Sequence, residues 1–417
     1  MPHAYVICKC KSGPSHVKFP KIADVQASTM ARSAAYFHPT FPILPVMDAS
    51  FCPPTRILLG PGPCNTSPEV LEALSRPTIG HLDPAFLELM NQIGNRLRRL
   101  FGTENSITIP ISATGSGGMQ AVLSNLLEPG DAVLVGVHGV FGVRFAECAR
   151  RLGADVTEVH SDWGTPLDCE EVAKAASGKS FKLIGAVHAE TSTGVLLSAE
   201  GIAKLRAACD ESGALLVLDT VTSLGGLAVE LDARGVDATW SGTQKCLACP
   251  PGLSPISLSQ RAMDVLGRRE RPVSSWYFDL SLISQYWGSE RAYHHTAPIN
   301  MLYGLHEALG LVFEEGIDER YARHADAARH LWNGLEARGF EMLVEEPHRL
   351  FPLTSVRIPD SIDDAKVRAE LLDVHGIEIG GGLGPLAGAI WRIGLMGQNA
   401  NKGTVDQLLH KLDEVLD

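Results

Sequence analysis

Residues 182–219 read KLIGAVHAETSTGVLLSAEGIAKLRAACDESGALLVLD. Two continuous apolar runs, 182–188 and 214–218, flank a helix-like stretch at 199–212, and the second run closes on Asp219. Runs that are apolar throughout, rather than alternating, are the mark of strands buried on both faces of a sheet. Strands alternating with helices predict a mostly parallel sheet covered on both sides.

The same alternation extends outward. Upstream, short apolar or β-branched runs occur at 106–110, 132–137 and 155–159, with helical stretches at 118–127, 142–152 and 169–177. Glu128-Pro129-Gly130-Asp131 stops one of these helices and turns the chain into the next strand. Downstream, the runs at 238–241 and 253–258 lie too close for a helix between them, which predicts an antiparallel pair. The fold expected is α/β, with a large seven-stranded, mostly parallel sheet. Beyond 302 the texture changes to helices at 302–315, 318–339 and 405–416 with short strands at 353–358, 377–379 and 390–393. That pattern predicts a smaller α+β unit.

The 417 residues carry 36 Lys and Arg against 48 Asp and Glu, a net charge of −12. An acidic chain lacks the basic stripe that tracks phosphate backbones, which argues against nucleic acid and anionic membrane as partners. No apolar run is long enough for a transmembrane helix. Residues 1–47 are the exception in charge: Lys9, Lys11, Lys18, Lys21 and Arg32 face only Asp24. This basic, proline-broken stretch reads either as a targeting segment or as an arm ahead of the domain core. The cysteine spacings do not form a secreted disulfide framework, and Cys246-Leu247-Ala248-Cys249 has no second pair to complete a zinc site. A reducing, cytoplasmic setting is expected, with organellar targeting left open.

Ligands of open α/β sheets bind beyond the carboxyl ends of the strands, so chemistry is sought there. After the first run comes Ser112-Ala113-Thr114-Gly115-Ser116-Gly117-Gly118, a turn feeding a helix N-terminus. Such a turn offers N–H donors to a phosphate, or it is a plain strand-to-helix turn. It matches neither a P-loop nor a dinucleotide fingerprint. Asp219 closes an apolar strand, where it either faces a cation or starts the next turn. Lys245 follows Ser241-Gly242-Thr243-Gln244 and precedes Pro250-Pro251-Gly252, small and rigid surroundings in which a lysine is either a nucleophilic amine or a plain surface charge. A phosphate cradle, a buried acid and a recessed lysine together suit pyridoxal phosphate. That cofactor needs an amine for its aldehyde, donors for its phosphate and a carboxylate beside its ring nitrogen.

These motifs, with Leu58-Leu59-Gly60-Pro61-Gly62-Pro63, Gly80-His81-Leu82-Asp83-Pro84, Tyr293-His294-His295-Thr296, Gly381-Gly382-Leu383-Gly384 and Arg392-Ile393-Gly394, make residues 51–417 resemble the class V pyridoxal-phosphate aminotransferases of fold type I, in the alanine–glyoxylate (serine–pyruvate) group. The resemblance implies Lys245 as the aldimine-forming lysine and proton carrier, and Asp219 as the partner of the ring nitrogen. It implies a phosphate cradle of Thr114, Gly115, Ser116 and Gln244, with Phe141 as the stacking ring where the family usually has a larger aromatic. Thr191 would stand near the cofactor's O3′, Tyr293 and Thr296 would reach the phosphate of a neighbouring subunit, and Gly62 and Arg392 would meet the substrate. His294 and His295 read as structural rather than catalytic, and His81 as packing or as lining of a substrate channel.

The implied organisation is an extension at 1–50, an arm at 51–72, a large cofactor domain at 73–315 and a small domain at 316–417. The implied activity is ping-pong amino transfer within a homodimer sharing active sites, with alanine as donor and glyoxylate as acceptor. Serine–glyoxylate or pyruvate, aspartate–glyoxylate and pyridoxamine–pyruvate exchange are the alternatives. A lyase of the cysteine desulfurase kind would need a C-terminal thiol, and no cysteine follows Cys249.

Overall fold

A computed structural model describes residues 51–417. The expectations for the basic extension therefore lie outside the described residues. In chain order the strands are β1 (Ile57–Leu59), β2 (Ile107–Ile111), β3 (Ala132–Val137), β4 (Asp155–His160), β5 (Leu183–Val187), the short pair β6 (Ala189–Glu190) and β7 (Val195–Leu196), β8 (Leu215–Asp219), β9 (Ala238–Trp240), β10 (Ser254–Leu258), β11 (Leu353–Arg357), β12 (Ile377–Gly381) and β13 (Ile390–Gly394).

The large sheet has seven strands in the order β2-β10-β9-β8-β5-β3-β4. Its pairs from β9 to β4 are parallel, and β10 runs antiparallel to both β9 and β2. The antiparallel insertion is the one expected from the missing helix. Reversing twice across β10 returns β2 to the direction of β9, so the carboxyl ends of all strands but β10 share one edge.

Alternate residues of each strand enter opposite cores. Leu134, Ile184, Ala186, Leu216 and Leu218 pack into one cluster. Val133, Val135, Leu183, Leu215 and Val217 pack into the other. Two-sided burial is what removes alternation from these sequences. The crossover helices α3 (Gly115–Leu126), α4 (Val140–Arg151), α5 (Cys169–Ala176) and α6 (Ala199–Ser212) supply the covering faces. Helix α6 runs over the range expected; its Ser198 side chain accepts from Gly201 N at the start, and left-handed Gly213 ends it. Helix α3 begins three residues before the expected 118, because the glycine-rich turn itself is helical.

A second sheet, in the order β1-β12-β13-β11, is flanked by α10 (Ile317–Glu336) and α12 (Lys402–Leu416) around Trp391, Ile393, Leu331 and Leu408. Its edge strand β1 comes from the N-terminal arm and pairs in parallel with β12. The register Leu59↔Ile379 holds Gly60-Pro61-Gly62 at the end of that edge. Residues 54–417 form one compact unit. Among the described residues no helix is long and apolar enough to cross a membrane.

Candidate active site

Lys245 lies in the loop between β9 and β10, 7% exposed, its Nζ donating to the Pro61 carbonyl of the β1 arm. Burial pushes its ammonium down to about 8, with the nearby Arg392 charge acting the same way. Asp219 ends β8 and is 5% exposed. Its Oδ1 accepts from Val221 N at 2.8 Å, so the residue starts the next turn as well as presenting a buried acid. Burial raises its carboxyl to about 7, against the pull of that hydrogen bond.

A cavity of ≈ 200 Å³ joins these groups, walled by Thr114, Gly115, Ser116, Phe141, Asp219, Gln244 and Lys245. Thr114 is the N-cap of α3, yet its side chain makes no capping hydrogen bond, so its hydroxyl stays available at a positive helix end. Among the described residues Gln244 Oε1 is buried without a partner. A Cβ on Gly115 would stand 3.0 Å from Val221 Cγ2, so only glycine leaves this corner open without a shift.

Four further residues complete the wall: Met119, Arg144, Val221 and Trp240. The apolar three have no sequence signal that separates them from core. Arg144 stands one helical turn after Phe141, its guanidinium 4.9 Å from that ring's centroid. The i, i+3 spacing on a helix opening at the strand edge could have exposed it.

The remaining expected residues surround the cavity at different removes. Gly62 has φ +96°, and a Cβ there would fall 2.7 Å from Lys245 Nζ, so the arm is pressed against the lysine. Arg392 on β13 is 6% exposed; its Nε donates to Gly381 O at 2.8 Å and Nη1 to Thr191 O at 3.3 Å. Among the described residues its Nη2 takes no hydrogen-bond partner. Thr191 Oγ1 pairs with Thr222 Oγ1 at 2.5 Å. Tyr293 and Thr296 are not part of this cavity wall; both are exposed, with their hydroxyls 3.4 Å apart. His294 stacks on Trp276 at 4.3 Å, and His295 Nε2 meets Ser112 Oγ at 3.0 Å, both packing contacts.

The donor set suits a phosphorylated aldehyde on a basic ring. Amine, acid, aromatic face and free helix N-terminus stand around one cavity, with the Gln244 side chain in its wall.

A recessed lysine and a strand-end acid thus meet beside one cavity on a seven-stranded α/β sheet. Residues 66–395 match the family model for class V aminotransferases, and the chain belongs to that family. It is a transaminase, and the family implies pyridoxal phosphate as cofactor. The chain is 48% identical to an alanine–glyoxylate aminotransferase from Nostoc sp. of known structure, with a TM-score of 0.87 over 89% of this chain and 98% of that one. It is 39% identical to the (S)-ureidoglycine–glyoxylate transaminase of Bacillus subtilis, over 88% of this chain and 91% of the relative. It is also 39% identical to the alanine–glyoxylate aminotransferase of Drosophila melanogaster, over 87% and 93%.

Proposed function

We propose that this transaminase moves the amino group of alanine to glyoxylate by a ping-pong route, using pyridoxal phosphate held at Lys245. The observation that carries this reading is the meeting of Lys245, Asp219 and the free N-terminus of α3 around one cavity. When bound, the cofactor supplies an aldehyde that takes up the amino group and a ring that draws electrons from the substrate Cα.

The chain's own residues do the rest. Thr114, Gly115, Ser116 and Gln244 hold the phosphate through N–H, hydroxyl and amide groups at a positive helix end. The Asp219 carboxylate would hold a proton on the ring nitrogen. Phe141 packs on the ring face, with Arg144 extending the cationic edge. Lys245 Nζ, whose neutral form is accessible near physiological pH, would take the proton from the substrate Cα and return it to the cofactor's aldehyde carbon, on the far side of the amino nitrogen. The free Nη2 of Arg392 orients the substrate carboxylate, with Gly62 closing the arm over it.

Glyoxylate as acceptor is supported by the names of all three relatives, whereas the donor differs between ureidoglycine and alanine. Alanine is favoured because the 48% identical relative carries that name. Steady-state rates with alanine, serine, aspartate and ureidoglycine, each against glyoxylate and pyruvate, test the assignment. The expected result is the highest kcat/KM for alanine with glyoxylate and parallel double-reciprocal lines. Turnover with another donor but none with alanine contradicts it.

A further inference from the structure

Glu190 is a fully enclosed acid, 0% exposed, with no role in the reaction as described so far. Its Oε2 accepts from Phe141 N at 3.1 Å and from Gly142 N at 3.2 Å. Its Oε1 accepts from Ser192 N at 3.0 Å and Ser192 Oγ at 2.5 Å. Ser192 Oγ accepts in turn from Val140 N at 2.9 Å. The first three N–H groups of α4 are therefore satisfied by side chains some fifty residues further along the chain.

Such a cap is needed because α4 has none of its own. Its N-cap position is Gly139, which makes no side-chain capping bond. A Cβ at Gly139 would fall 2.4 Å from Glu190 Cγ and 2.5 Å from Glu190 Cδ and Ser192 Oγ. Glycine at 139 and the remote cap thus require one another. Burial raises the Glu190 carboxyl, while the four donors and the positive helix end that face it pull the other way and favour the carboxylate.

The segment that supplies the cap also carries other parts of the site. Thr191 lies between Glu190 and Ser192; its hydroxyl meets Thr222, and its carbonyl takes Arg392 Nη1. Phe141 is the second residue of α4. One carboxylate therefore ties the aromatic wall to the segment on which Arg392 rests.

We propose that Glu190 is the positioning residue that sets the Phe141 ring against the bound cofactor by capping α4 from the 190–192 segment. The proposal rests on the pyridoxal-phosphate reading above. Its test is titration of pyridoxal phosphate into the cofactor-free protein, followed by quenching of tryptophan fluorescence, since Trp240 lines the cavity. Wild type, Glu190→Gln, Phe141→Leu and the double variant form a cycle. A Gln amide cannot accept the four bonds, and affinity is expected to fall about tenfold, the scale of a lost charge-assisted hydrogen bond. On the Phe141→Leu background the same change is expected to cost less than about twofold, because the ring it positions is gone. Ser192→Ala, which removes only the hydroxyl bridge to Val140, is expected to cost about threefold with the same dependence on Phe141, and it carries the test if Glu190→Gln does not fold.

Unchanged affinity in Glu190→Gln, or losses that multiply in full, overturn the proposal, since a merely structural role does not depend on Phe141. With Ser192→Ala carrying the test, unchanged affinity or full multiplication does the same. A wild-type protein that takes up no pyridoxal phosphate overturns the cofactor reading itself, and this inference with it.

Discussion

The burial of Lys245 and Asp219 beside one cavity follows from residue type and position, a lysine among small residues and an acid closing an apolar strand. Glu190 is not legible in this way. In the sequence it is one acid between two turns, and its meaning lies in contacts with backbone N–H groups at 141 and 142. Arg144 is hidden similarly, because its cavity-facing position depends on where α4 starts. The buried amine carries a pH prediction. Its folded value of about 8 lies below the ordinary 10.5, so the neutral, nucleophilic fraction grows as pH rises through about 8. Covalent uptake of pyridoxal phosphate at Lys245, fixed by borohydride and counted by mass spectrometry, is expected to rise with a midpoint near that pH. A midpoint at 10.5 instead marks an ordinary exposed lysine.

At the scale of elements, six strands of the large sheet were legible because two-sided burial leaves continuous apolar runs, and the partly exposed edge strand β4 from its β-branched Val156, Thr157 and Val159. Strand β1 and helix α2 (Pro84–Phe101) were not expected. Three residues show no period, and β1 is a strand only because β12 pairs with it. Helix α2 has Asp83 and Pro84 as a clear start, but it lies upstream of the alternation from which the fold was read. The sheet is pinned at its other end by Asp237, 3% exposed, which precedes β9. Its carboxylate accepts from Arg206 Nη1 at 2.8 Å, Leu216 N at 2.9 Å, Ser259 Oγ at 3.0 Å and Arg261 Nη1 at 3.1 Å. It thereby binds α6, β8 and α7 (Gln260–Gly267) together. Asp237→Asn leaves two arginines facing a neutral amide and is expected to destabilise the fold by about 3 kcal/mol. Urea unfolding measures this; a loss below about 0.5 kcal/mol shows the cluster to be incidental.

For the molecule as a whole, the net charge of −12 argues against nucleic acid and anionic membrane as partners but gives no view of the site, where Lys245 and Arg144 line the cavity and the Arg392 charge acts on Lys245. Leu82, Trp276, Tyr277 and Tyr293 are exposed apolar or aromatic side chains, the last three close to the histidine pair that contacts the cradle turn at Ser112. We expect this surface to be covered by a second copy, with Tyr293 and Thr296 directed to the partner's cavity. Sedimentation equilibrium of the active protein is expected to give a dimer, and an active monomer contradicts that arrangement. The central claim, that amino transfer runs through Lys245, is tested most directly by a half-reaction without acceptor. Protein loaded with pyridoxal phosphate is mixed with alanine alone and the pyruvate released is counted. The account predicts a stoichiometric burst from wild type that stops until glyoxylate is added, and none from Lys245→Ala; an undiminished burst from that variant would contradict it.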